Sequence, residues 1–91
     1  MSNKLSFLEK AGCTEILITL LKQNGKMYFT ELKNEIGKGS MSTLNIRVLE
    51  LKNQGLISDE LESKFGGRKY IWLTDKGKKI AKHLQEIEKS L

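Results

Sequence analysis

The chain has no proline, one cysteine and one histidine among its 91 residues. The missing prolines, with glycines confined to discrete places, exclude a Pro/Gly-rich linker and point to a folded, helix-rich domain. One cysteine, Cys13, excludes an internal disulfide and any multi-cysteine metal site, and it reads as a small buried hydrophobe. His83 has no metal partner at helical spacing and reads as a helix-surface residue. No Cys/His pairing, Ser/His/Asp set or metal cluster is legible, so neither enzymatic chemistry nor a cofactor or metal is expected. Gly37-Lys38-Gly39-Ser40 contains a fragment of a phosphate-binding loop, but the full spacing is absent and no long buried strand precedes it.

Long hydrophobic runs are missing too. Ile16-Leu17-Ile18 resumes at Leu20-Leu21, far short of a membrane span, and the first ten residues hold no sustained apolar segment of a signal peptide. The expected place is the cytoplasm, at the nucleoid, with no membrane partner and no legible pocket for a small ligand. Apolar residues make up 38% and charged residues 30%, so a lone domain of this length leaves much of its surface exposed and gains from a partner subunit.

What is abundant is lysine. Residues 64–82 hold Lys64, Arg68, Lys69, Lys76, Lys78, Lys79 and Lys82 against the single acid Asp75, a local +6 beside −1 for the rest of the chain. A basic segment on a near-neutral body suits a polyanionic partner.

Periodicity supplies the elements. Cys13, Ile16, Leu17, Leu20 and Leu21 make one stripe of a helix over 13–22, and Gln23-Asn24-Gly25 ends it. Met27-Tyr28-Phe29 reads as a short extended piece. Thr30 is the expected N-cap of a helix 31–36, with Glu31 at its positive end. Ser40 opens a third helix, 40–54, whose Met41, Leu44, Val48 and Leu51 form a buried stripe; Gly55 supplies the positive φ after it. A strand over 56–63, a turn at Lys64-Phe65-Gly66-Gly67 and a return strand over 68–73 make a hairpin. In the return strand Ile71 and Leu73 point inward, Tyr70 and Trp72 outward, with Trp72 expected under the Leu5, Phe7, Leu8 segment. Thr74 caps a last helix, 75–90.

The order α-β-α-α-β-β-α is α+β, mainly α: a helix-turn-helix followed by a hairpin, the winged form. Two stretches carry a resemblance to winged-helix regulators of the MarR, PadR and HxlR kind. One runs from Ser42-Thr43-Leu44 through Val48 and Leu51 to Gly55-Leu56-Ile57, similar to a recognition helix followed by G-L-[IV]. The other, Gly67-Arg68-Lys69-Tyr70-Ile71-Trp72-Leu73-Thr74-Asp75-Lys76-Gly77, resembles a wing strand ending in L-T-x-K-G. The resemblance covers about residues 13–91. It implies a transcription regulator that binds double-stranded DNA, with helix 40–54 in the major groove and the 64–69 hairpin on the backbone or minor groove.

The resemblance assigns the recognition-helix contacts to Lys38, Ser40, Ser42, Thr43, Asn45, Ile46 and Arg47, and the wing contacts to Lys64, Arg68 and Lys69. Arg47 is the expected guanine contact, since its fork can bond O6 and N7 together. Ile46 and Leu49 depart from the pattern, being apolar where polar side chains are usual. An outward isoleucine suits a thymine methyl or a protein interface, while an added packing contact is expected of Leu49. Two other readings therefore stay open: a protein-interaction winged helix within a larger assembly, and a non-specific chromatin or RNA binder.

Gly77, Ile80, Leu84, Ile87 and Leu91 alternate steps of three and four, a heptad seam. Its first half is expected to pack on the first helix of the domain. The tail from Leu84 needs another cover, and so does the N-terminal segment, which predicts a homodimer with Leu8, Leu84, Ile87 and Leu91 at the interface. The expected organisation is an N-terminal extension at that interface (1–12), a winged core (13–74) and a C-terminal dimerisation helix (75–91).

Overall fold

The structure is a computed structural model that describes residues 4–23, 25–37, 41–62 and 67–91, without the side chains of residues 4 and 41. A 3-10 turn at Lys4–Phe7 leads into α1 (Cys13–Gln23). Then follow β1 (Met27–Tyr28), α2 (Phe29–Ile36), α3 (Met41–Asn53), β2 (Ile57–Leu61), β3 (Lys69–Leu73) and α4 (Asp75–Ser90). The three strands form one antiparallel sheet in the order β1-β3-β2. Met27 lies opposite Ile71, and Ile57 opposite Leu73. This is the expected winged helix-turn-helix, with the short extended piece recruited as the third strand.

Alternation decides which sheet face is buried. Met27, Ile57, Ile71 and Leu73 point toward the helices and meet Ile16, Leu17 and Leu20 of α1, Leu32 of α2, and Leu44, Val48 and Leu51 of α3. Cys13 is fully buried in this core, as expected of a small hydrophobe. Burial raises its thiol above the ordinary value, over the opposing attraction of Arg47.

Helix starts and stops corrected the sequence reading in one place. α2 begins at Phe29, so Thr30 is its second residue and not its cap. Tyr28 is still extended and paired with Tyr70, which leaves the helix to start at once after the strand. The Glu31 carboxylate accepts a hydrogen bond from the Tyr28 N–H at 2.9 Å, tying the helix start to the strand end. In the hairpin, β2 pairs with β3 from Ile57 to Leu61, and one further bond runs from the Glu62 N–H to the Arg68 carbonyl at 2.7 Å; the expected end of the first strand at residue 63 and the turn at Lys64-Phe65-Gly66 lie outside the described residues.

At the other end of α3, Gly55 adopts φ +77°. Its N–H bonds the Lys52 carbonyl at 2.9 Å and the Leu56 N–H bonds the Leu51 carbonyl at 3.0 Å. That pair of bonds is a Schellman motif, and the buried Leu51 and Leu56 are its customary apolar contact. The chain is thereby dropped into the core at Leu56-Ile57 and launched into the wing.

α4 docks on that same corner. The Thr74 hydroxyl accepts from the Gly77 N–H at 3.1 Å and donates to the Gly55 carbonyl at 2.6 Å. The Thr74 N–H bonds the Leu56 carbonyl at 3.1 Å, and the Lys76 ammonium reaches the Gln54 carbonyl at 3.2 Å. A Cβ built on Gly77 would lie 1.9 Å from the Leu56 carbonyl oxygen. The two motifs of the sequence, G-L-I and L-T-D-K-G, are thus the two halves of one joint between α3 and α4.

The N-terminal segment does not cover Trp72. Leu5, Phe7 and Leu8 lie beside Leu56, Ile80, Leu84 and Ile87, lining a groove of about 550 Å³. Trp72 is half-buried beside Leu20, Leu21 and Lys26, with the Lys26 ammonium 4.9 Å from its ring centroid. The reason is reach. Residues 8–12 turn directly into the start of α1, whereas Trp72 sits at that helix's far end, about 16 Å away at 1.5 Å per residue.

Candidate nucleic-acid interface

The buried stripe of α3 fixes what its other side presents. With Leu44, Val48 and Leu51 inward, Ser42, Thr43, Asn45, Ile46 and Leu49 are exposed. Ile46 is 53% and Leu49 57% exposed, so among the described residues neither is packed away. The expected packing contact for Leu49 is not made. Lys38 and Ser40, assigned to the start of this helix, lie outside the described residues.

Arg47 takes a different direction from the expected one. It is half-buried, and its guanidinium turns back toward the N-terminal segment. Nε donates to the Ala11 carbonyl at 2.9 Å, and Nη1 to the Glu50 carboxylate at 2.7 Å. Glu50 also receives the Lys10 ammonium. The Lys10 hydrogen bond, with that of Arg47, holds the Glu50 carboxyl below its ordinary range. An i,i+3 pair such as Arg47 and Glu50 was visible in the sequence. The partners at Lys10 and Ala11, more than 35 positions away, left no local signal.

The wing stands beside α3. Asn45, Phe29 and Thr30 line a groove of about 330 Å³ together with Gly67, Arg68 and Lys69. Arg68 is exposed, its guanidinium 4.8 Å from the Tyr28 ring centroid. Lys69 is shared with Asp59 at 3.3 Å, and Lys52 meets the same carboxylate at 2.9 Å. Partial burial works to raise the Asp59 carboxyl, but the hydrogen bonds from Lys52 and Lys69 outweigh it and hold the group below its ordinary value. Lys64 lies outside the described residues.

Behind these cations, Tyr28 and Tyr70 stack with centroids 4.5 Å apart. Their hydroxyls are 2.9 Å apart, and the Tyr70 hydroxyl donates to Glu62 at 3.0 Å. Bonding to Tyr28 and Glu62 pushes the Tyr70 phenol well above its ordinary value, so it stays a neutral donor. This cluster fastens the end of β2 to β1 through β3, and nothing in the sequence pattern marked it.

The contiguous +6 stretch is not one patch. Arg68 and Lys69 belong to the wing, Lys76 caps the carbonyl end of α3, and Lys78 and Lys82 line the hollow beside Trp72. A strand intervenes, so charge contiguous in sequence is divided in space. Of the assigned interface residues that are described, the structure brings Asn45, Arg68 and Lys69 around one groove, leaves Ser42, Thr43 and Ile46 exposed on α3, and turns Arg47 away.

The HxlR-like helix-turn-helix family matches residues 10–90. The chain belongs to that family, one of transcriptional regulators. Similar solved structures carry the same fold. A transcriptional regulator homologue from Pyrococcus horikoshii superposes with a TM-score of 0.80 at 22% identity, over 96% of this chain and 85% of its own. The reduced form of the regulator YodB from B. subtilis gives 0.79 at 22% identity, over 97% and 89%. A protein of Porphyromonas gingivalis assigned to the MarR family of regulators gives 0.85 at 21% identity, over 98% and 92%. No curated protein sequence matches the chain. Among the described residues, no helix of this family member is long and apolar enough to cross a membrane.

Proposed function

We propose that this HxlR-like protein regulates transcription by binding duplex DNA as a homodimer in the cytoplasm, at the nucleoid. α3 enters the major groove, with Ser42, Thr43, Asn45 and Ile46 against bases and phosphates. Arg68 and Lys69 of the wing, with Lys64, hold the backbone or the adjacent minor groove, and Lys38 and Ser40 meet phosphates at the start of α3. The carrying observation is the face itself. The exposed side of α3 from Ser42 to Leu49 presents no acid and adjoins two wing cations across a groove. Such a face enters a phosphate-lined groove without desolvating a like charge.

Dimerisation is supported by what the C-terminal helix leaves uncovered. Ile80 and Leu84 pack partly on the domain's own core, while Ile87 is 57% exposed and Leu91 is fully exposed beyond them. The adjoining groove behind Phe7 and Leu8 extends that apolar strip. A twofold partner there would bury Leu8, Leu84, Ile87 and Leu91 and set two copies of α3 for half-sites about one helical turn apart.

The test is a titration of duplex DNA at two salt concentrations. Neutralising about three to five phosphates gives a log–log slope of roughly −3 to −5 per monomer. No binding to any duplex at about 50 mM salt overturns the proposal. It would promote the second reading, a protein-interaction subunit, which the exposure of Ile46 and Leu49 favours.

A further inference from the structure

α3 carries several side chains that can read a base pair, and the structure separates Arg47 and Glu50 from the outward-facing Asn45, Ile46 and Leu49. An arginine reads guanine through O6 and N7, and a glutamate accepts from the cytosine amino group. On α3 these are Arg47 and Glu50, and they are bonded to each other at 2.7 Å. Arg47 is further held by the Ala11 carbonyl and Glu50 by Lys10. These two G·C-suited groups are turned back onto the N-terminal segment, and the third, Lys52 near the far end of α3, is paired with Asp59 at 2.9 Å.

The groups suited to an A·T pair face outward. Asparagine pairs with adenine N6 and N7, and an aliphatic side chain contacts the thymine C5 methyl, the one apolar group on the floor of the major groove. Asn45 is exposed beside the wing groove. Ile46 and Leu49, three residues apart on the same stripe, are each more than half exposed. Ser42 lies one turn earlier on that stripe, and its hydroxyl suits either a base or a phosphate.

We infer that α3 reads A·T base pairs, Ile46 by the thymine methyl and Asn45 by the adenine edge, with Leu49 extending the apolar contact. The Arg47–Glu50–Lys10 set positions the helix and reads no base. This rests on the DNA-binding reading above and adds the chemistry that the interface selects. It also explains why two apolar residues stand on a face that is otherwise polar: two aliphatic side chains among Ser42, Thr43 and Asn45 match a methyl in a phosphate-lined groove better than they match an apolar protein surface.

The test selects bound sequences from a random duplex pool with the full chain, then replaces each thymine of the selected half-site by deoxyuracil, which removes only the C5 methyl. The expected half-site is A·T-rich where α3 lies, and deoxyuracil at one or two positions lowers affinity about three- to fivefold, the effect of one buried methyl. Ile46→Ala, at an exposed position that leaves the core intact, binds the thymine site more weakly and shows no further deoxyuracil penalty. Asn45→Ala loses its preference for adenine at one position. A selected half-site fixed as G·C under α3 overturns the inference. So does specific binding indifferent to deoxyuracil, or a deoxyuracil penalty unchanged in Ile46→Ala, and in these cases DNA binding itself stands. Failure to bind any duplex overturns both readings and assigns Ile46 and Leu49 to a protein contact.

Discussion

Replacing Gly77 by alanine sets two effects against each other. Helix propensity favours the change, since alanine in a helix interior is better than glycine by about 1 kcal/mol. Packing opposes it. The new Cβ would stand 1.9 Å from the Leu56 carbonyl oxygen, 2.9 Å from its carbon and 3.2 Å from the Leu73 Cδ2. Two of those three atoms are backbone, so no rotamer change relieves the clash. Moving the Leu56 carbonyl away breaks its bond from the Thr74 N–H and loosens the Thr74 hydroxyl's bonds to Gly55 and Gly77. Overpacking costs about 1–3 kcal/mol, and a lost cap with its neighbouring bond about 1–2 more. The net expectation is a loss of roughly 1–4 kcal/mol, or about 5–20 °C in Tm for a domain of this size. Urea and thermal unfolding followed by circular dichroism measure it. Gly25→Ala is the control, since its Cβ would meet nothing nearer than the Gln23 carbonyl at 4.0 Å. A Gly77→Ala variant as stable as the parent would refute the joint as described.

Other consequences follow from the same contacts. Ile87→Asp with Leu91→Asp should give a folded monomer, because both lie outside the core, and DNA affinity should fall sharply; parent chain that sediments as a monomer at about 100 µM would rule out the dimer. The Cys13 thiol, buried and raised in pKa, should resist a thiol reagent at neutral pH until the chain is unfolded, and rapid native labelling would contradict its placement. Asp59 and Glu50 are held below their ordinary values in the folded chain. Their contribution is therefore complete above the unfolded carboxylate range and fades as pH falls through the lowered folded values. Asp59→Asn should flatten the fall of Tm below about pH 4, and an unchanged acid profile would count against the Lys52–Asp59–Lys69 set.

The architecture was legible because its signals are local. A 3.6-residue stripe over 13–22, a glycine at 55 and a hydroxyl at 74 each act through neighbours within one turn. Thr30 misled for a related reason. Its type suits an N-cap, but the pairing of Tyr28 with Tyr70, 42 positions away, decided where the helix could start. The direction of the Arg47 side chain was hidden in the same fashion. Helical phase placed it on a flank of α3, and only the folded chain shows the Ala11 carbonyl waiting there. Phase alone did give the exposure of Asn45 and Ile46, whose outward placement on α3 depends on no distant partner.

The joint between α3 and α4 gives the proposed function a mechanical requirement. The C-terminal tail that would meet a second copy and the helix that would meet DNA are different elements, and a dimer helps DNA binding only if the two are held at a fixed angle. Three contacts at the first turn of α4 provide that: Thr74 on Gly55, Lys76 on Gln54, and the Gly77 backbone against Leu56. All three touch the chain where α3 ends, so any rotation of α4 must strain the Schellman turn that terminates α3. The residues most characteristic of the L-T-D-K-G stretch would then matter for DNA without approaching it. Their lysine, aimed at a carbonyl 3.2 Å away, acts on the C-terminal end of the α3 dipole and not on a phosphate.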